Sequence, residues 1–236
     1  MTHVQSCLVS LSLLACCSAV TTEVHGDTVG FFDISCSNGF NEEVNVVGVD
    51  VGGNQSLYTY QTAQPDFLIN SMLLGNSVNP FLGGSVQLTN NTLADDLNFQ
   101  VNFAFPTNEF TTALSLWDAS ATIVIAGLNP SIQSLPGEPV WSAAIEGELL
   151  GTMFVNPFNL SLSGEGTAAI DEALSGTTPF NGGELGLRLS FTLSPGDTVA
   201  FGTSVGFIPT PGAIAVLGLS LVSGRSRRRR VTNGTT

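Results

Sequence analysis

The chain has 236 residues, with nineteen acidic and six basic side chains, and a formal net charge of −13. It has no lysine, and five of its six arginines fall between 225 and 230, so residues 27–208 hold eighteen acids (all but Glu23) against one base, Arg188, a net charge near −17. A stretch so short of cations cannot neutralise phosphates, which excludes nucleic acid as a partner and disfavours adsorption to anionic lipid. Cations, cationic polymers and neutral glycans remain, and the acid surplus also accounts for plain solubility.

Residues 1–26 read as a secretory signal. Leu8, Val9, Leu11, Leu13, Leu14 and Ala15 make an apolar helical segment, with small residues at Ser18 and Ala19. Only His3 stands where a basic n-region belongs. Cleavage after Ala19 or after Gly26 leaves small residues near the cut, and Leu13-Leu14-Ala15-Cys16 also resembles a lipobox with Cys16 as the lipidated residue. Cleavage of the signal removes Cys7, Cys16 and Cys17, leaving Cys36 without an intramolecular partner. A lone Cys36 reads as a small buried hydrophobe.

From 27 to 208 the apolar period is two, the period of a strand with one buried face. This stretch is long enough for one domain with a substantial core. Residues 44–51 are β-rich, and Gly52-Gly53 and Gly83-Gly84 read as turns, as does the cluster 75–80. Residues 85–89 alternate. In the clearest run Leu97, Phe99, Val101, Phe103 and Phe105 face one way and Asn98, Gln100 and Asn102 the other. Residues 112–117 alternate with Leu114 and Leu116 expected inward, and 122–125 form a short apolar strand. Residues 166–174 suit either one short helix or a strand with a turn. Leu185 to Leu193 and Val199 to Phe207 alternate around Ser194-Pro195-Gly196-Asp197, which predicts a β-hairpin. The expected fold is all-β: an antiparallel, jelly-roll-like β-sandwich, with fifteen phenylalanines available to fill its core. A signal helix precedes it and a short hydrophobic helix follows.

Residues that carry chemistry are few. The only histidines are His3 and His25, so a Ser-His-Asp or Cys-His nucleophile system lacks its base. Zinc has no His or Cys cluster to hold it, and without lysine there is no phosphate-binding loop of the usual kind. No cofactor is expected. Structural calcium would draw on Asp95-Asp96, Glu42-Glu43 or Asp171-Glu172, none of which has the spacing of an EF-hand loop. Glu146 and Glu148, two apart on one strand face, are the pair a carboxylate glycosidase would need. Trp117 and Trp141 read as core residues or as flat platforms on which a sugar ring stacks.

After Ile208 come Pro209, Thr210, Pro211 and Gly212, then the apolar run 213–222, then Arg225, Arg227, Arg228, Arg229 and Arg230. The prolines stop a strand or helix. The run is shorter than the ~20 residues of a full membrane span, and the arginines hold its far end in the cytoplasm. This order resembles the PEP-CTERM sorting signal, with Thr210 at the position of the family's glutamate. The resemblance covers roughly 208–230. It implies export, an exosortase-like processing enzyme acting near the proline motif, and membrane contact through 209–230. The expected organisation is therefore a signal peptide at 1–26, a β-sandwich domain at 27–208, a sorting segment at 209–230 and a disordered tail at 231–236. The expected function is that of an exported, non-enzymatic protein of the cell envelope or extracellular matrix. It would use the secretion machinery and contact extracellular polysaccharide; the alternatives are a carbohydrate-binding module and a carboxylate glycosidase.

Overall fold

The period-two pattern becomes strand throughout. The computed structural model describes residues 28–108, 115–178 and 183–208, so the predicted signal and sorting segments lie outside the described residues. Fifteen strands follow in chain order: β1 (Val29–Cys36), β2 (Asn41–Val47), β3 (Val49–Gly52), β4 (Gln55–Ala63), β5 (Phe67–Asn76), β6 (Phe81–Asn90), β7 (Leu97–Thr107), β8 (Ser115–Leu128), β9 (Ser131–Ser134), β10 (Trp141–Ile145), β11 (Glu148–Met153), β12 (Asn159–Ser161), β13 (Glu165–Thr178), β14 (Gly183–Leu193) and β15 (Thr198–Ile208). They form two antiparallel sheets packed face to face, the sandwich expected from the sequence. The first sheet has eight strands in the order β11-β10-β14-β7-β1-β2, with β9 pairing β14 and β12 pairing β9. The second has seven, in the order β13-β8-β15-β6-β5-β4-β3.

The core lies between the sheets and is strongly aromatic. In β7 the residues Leu97, Phe99, Val101, Phe103 and Phe105 are all buried, as their alternation required. Phe103 meets Phe32 of its own sheet at 4.5 Å between ring centroids and Tyr58 of the facing sheet at 5.2 Å. Phe67 of β5 meets Phe99 edge-on at 5.5 Å, and Phe191 of β14 meets Phe201 of β15 at 5.0 Å. Such offset and edge-to-face pairs contribute about 0.5–1.5 kcal/mol each beyond area burial.

Several expectations are corrected by this topology. The strands around Ser194-Pro195-Gly196-Asp197 do not form a hairpin. β14 has its edges taken by β7 on one side and by β10 and β9 on the other, whereas β15 lies in the opposite sheet between β6 and β8. The connection is an arch that carries the chain across the core. Both strands need one apolar face whether they lie side by side or face to face, so alternation alone does not separate the two cases. The corner is held by Asp197, whose carboxylate accepts from the Ser194 hydroxyl and from the Ser131 amide at 3.2 Å.

Leu116 is outward-facing and exposed, and Trp117, Ala119, Ala121, Ile123 and Ile125 are buried instead. Leu114 lies outside the described residues. The short apolar run 122–125 is the middle of the fourteen-residue β8. Residues 166–174 belong to β13, which is strand along its whole length and pairs β8 without a register shift. The turn expected at Gly52-Gly53 falls one residue later, at Gly53-Asn54, with Gly52 closing β3, and Gly83-Gly84 lies within β6. The stretch 44–51 is two strands in different sheets, divided at Gly48. A Cβ at Gly48 would come within 2.7 Å of the Ser56 Cβ and 2.8 Å of the Tyr58 ring, so only glycine fits this crossing.

Candidate functional site

The two tryptophans were the sequence's candidate sugar platforms, and the structure puts both in the core. Trp141 is fully buried on β10, and its indole Nε1–H donates to Thr203 Oγ1 of β15 at 2.8 Å, joining the two sheets. Trp117 is also buried. Its ring covers Gly176 of β13, where an added Cβ would lie 2.8–2.9 Å from three ring atoms, and reaches Gly151 of β11. Both residues fall on the inward parity of their strands. Neither has a ring face open to a ligand, so stacking on Trp117 or Trp141 gives way to core packing.

Glu146 and Glu148 do not share a strand face. Ile145 pairs with Glu148, so Glu146-Gly147 is a two-residue turn between β10 and β11. Both turn residues have positive φ, +51° and +80°, the signature of a type I′ turn. The two carboxylates therefore stand on a tight solvent-facing corner.

The other acidic pairs are separated by the pleat. On β2, Glu42 turns inward and accepts a 2.7 Å hydrogen bond from the Tyr60 hydroxyl, while Glu43 faces solvent. Burial, with the Glu42 carboxylate second, pushes the Tyr60 phenol well above its ordinary range. On β13, Glu172 turns inward and accepts from the Phe154 amide at 2.9 Å, while Asp171 faces out. Asp95 and Asp96 sit on an exposed loop. With Asp66 and Asn38 they line an open depression of about 270 Å³ at one end of the sandwich. Among the described residues no three His, Cys, Asp or Glu side chains are grouped so as to hold a metal ion. Cys36 is buried, and desolvation raises its thiol pKa, which opposes formation of a reactive thiolate.

Two further depressions lie on the outer sheet faces. One, of about 300 Å³, crosses β7, β14, β10 and β11 and is lined by Asn102, Ser142, Leu149 and Arg188 among others. Arg188 is the only basic residue among the described residues. It pairs with Glu138 at 2.9 Å, and Gln100 donates to the same carboxylate oxygen at 3.4 Å. The other, of about 240 Å³, crosses β4, β5 and β6 and is lined by Thr59, Gln61, Asn70, Met72, Ser85 and Gln87, with Tyr60 and Ser71 at its floor. The sequence gives the outward parity of these residues, but their gathering depends on the register of three strands.

The sorting-motif residues Pro209, Thr210, Pro211 and Gly212, and the arginines 225–230, lie outside the described residues. No helix among the described residues is long and apolar enough to cross a membrane. No protein-family model matches this chain, and no curated protein matches it.

Proposed function

We propose that the chain is an exported, non-enzymatic protein of the cell surface or extracellular matrix, delivered by a PEP-CTERM-like C-terminal signal. The observation that carries this reading is the separation of charge along the chain. Five of six basic residues follow directly behind a proline motif and a short apolar run, and the sandwich holds only Arg188. β15 ends at Ile208, so the motif begins one residue after a strand that lies between β8 and β6. The sandwich itself is a rigid acidic body whose interior is filled by its own aromatic and aliphatic side chains. That is a suitable build for a passive surface component, held apart from its neighbours by like charge. A glycosidase reading loses its motivation, because Glu146 and Glu148 sit on a turn rather than across a cleft.

The test is C-terminal peptide mapping, by mass spectrometry, of the mature protein from its native host. A terminus between Pro209 and Gly212 supports sorting and processing at the motif. An intact 227–236 tail on the mature protein refutes processing, and unchanged envelope retention after deletion of 209–236 refutes sorting.

A further inference from the structure

The acids of this chain avoid one region. Strands β4, β5, β6 and β15 are consecutive in the second sheet and contain no charged residue. On the outer face of three of them, Gln61, Asn70 and Gln87 stand directly opposite one another, through the pairs Gln61↔Asn70 and Asn70↔Gln87. The next row is Thr59, Met72 and Ser85, through the pairs Thr59↔Met72 and Met72↔Ser85. Side chains opposite each other across antiparallel strands have Cβ atoms about 4.5–5.5 Å apart, so each row is continuous. Their sequence neighbours Tyr60, Ile69, Ser71 and Val86 are buried, which fixes both rows as outward.

These polar groups are also unspent. Thr59, Gln61, Asn70, Ser85 and Gln87 make no side-chain hydrogen bond to any described residue. Elsewhere on the sheet faces polar side chains pair with one another: Asn102 with Asp33 at 2.9 Å, Thr192 with Asn98 at 2.7 Å, Ser120 with Ser204 at 2.8 Å and Thr89 with Thr198 at 3.0 Å. Each free amide offers one acceptor and two donor hydrogens. Met72, half exposed at 49%, adds an apolar spot between them.

We propose that this face binds a neutral polysaccharide, with its hydroxyls bridged by Gln61, Asn70 and Gln87 and a ring face laid against Met72. Charge selects the ligand class. A cationic chain finds no carboxylate here, and an anionic one finds no base and meets the acidic remainder of the domain. A polypeptide adds to a sheet through its main chain at an edge, but β5 and β6 are flanked on both sides by other strands. On these two strands only side-chain groups are on offer, and amides with a small apolar spot match the alternation of hydroxyl and C–H on a sugar. The inference deepens the surface role proposed above and is tested apart from it, since binding is read without regard to C-terminal processing.

The experiment is native affinity electrophoresis of the full chain through gels containing dextran, soluble starch, galactomannan or xyloglucan, with polygalacturonate as the acidic comparison. At least one neutral polymer should retard the protein, and polygalacturonate should not. The shape-conserving triple variant Gln61→Glu, Asn70→Asp, Gln87→Glu and the truncated double variant Gln61→Ala, Gln87→Ala should each weaken binding at least tenfold, or about 1.4 kcal/mol. Asn45→Ala, on the outer face of the other sheet, should bind as the parent does. Retardation by none of the neutral polymers overturns the proposal. So does equal retardation by polygalacturonate, or binding unchanged in either variant that keeps the parent circular dichroism. Sedimentation of the parent as a dimer that the double variant abolishes would assign the face to a second copy of the chain, and would overturn it too.

Discussion

Trp141 and Thr203 form a buried polar tie between the two sheets, and removing its ends one at a time should show what burial does to it. Replacing Trp141 with Phe strands the Thr203 hydroxyl, which is only 7% exposed. A buried polar group left unpaired costs about 1–3 kcal/mol, and the vacated indole volume adds on the order of 1 kcal/mol, for a total of about 2–4 kcal/mol. Replacing Thr203 with Val keeps its shape and strands the indole N–H instead, for about 1–3 kcal/mol. The double variant retains the volume cost but strands nothing. It should therefore lose about 2–6 kcal/mol less than the two single changes summed, because both stranding costs vanish together. A domain with ~5–15 kcal/mol of stability remains folded through all three changes. Equilibrium urea unfolding followed by far-ultraviolet circular dichroism measures the cycle without relying on the altered fluorophore. Additivity within about 0.5 kcal/mol would refute the coupling.

Gly176→Ala places a methyl within 2.8–2.9 Å of the Trp117 ring and should cost about 1–3 kcal/mol, with a shift in tryptophan emission; an unchanged melting temperature would contradict it. Burial raises the folded-state pKa of Tyr58 and Tyr60 above their unfolded value of about 10. Below that pH both states are protonated and stability is intact. Above it the unfolded chain ionises first, and stability falls by ~1.4 kcal/mol per pH unit for each tyrosine. Urea midpoints at pH 8 and pH 11 check the slope, which Tyr60→Phe should reduce. Asp197→Ala frees the Ser194 hydroxyl and one acceptor of the Ser131 amide at the corner of the arch, and should cost about 1–3 kcal/mol; a loss under about 0.5 kcal/mol in urea unfolding would show that the corner holds without it.

Burial parity was legible in the sequence wherever one residue class dominated each face. Leu97 to Phe105 is such a run, since five large apolar residues alternate with amides and alanine, and the strand has one sensible orientation. Residues 112–117 mislead because Leu116 and Trp117 are both large and apolar, and the choice between them is made by the Ala119, Ala121, Ile123 series further along. The arch at 194–197 was hidden for a different reason. Proline and glycine mark a reversal of the chain but not whether it returns in the same sheet or in the facing one. The same limit applies to function. Gln61, Asn70 and Gln87 are nine and seventeen residues apart and become one row only through the pairing of β4, β5 and β6. The tryptophans drew attention because their chemistry is visible in isolation, but their parity places them inside.

The arch also sets a schedule. β14 and β15 are the last strands described, yet neither takes an outer place: each slides between neighbours laid down well before it in the chain. Until residue 183 and beyond leave the ribosome, β7 and β10 in one sheet, and β6 and β8 in the other, wait with unpaired edges. At synthesis rates of ~5–20 residues per second, the delay between β7 and its partner β14 is on the order of ten seconds. Open edges of that kind invite pairing with other chains. A polypeptide stopped short of residue 183 would be two half-sheets on each side with a slot between them, and its core would have no seam along which to close.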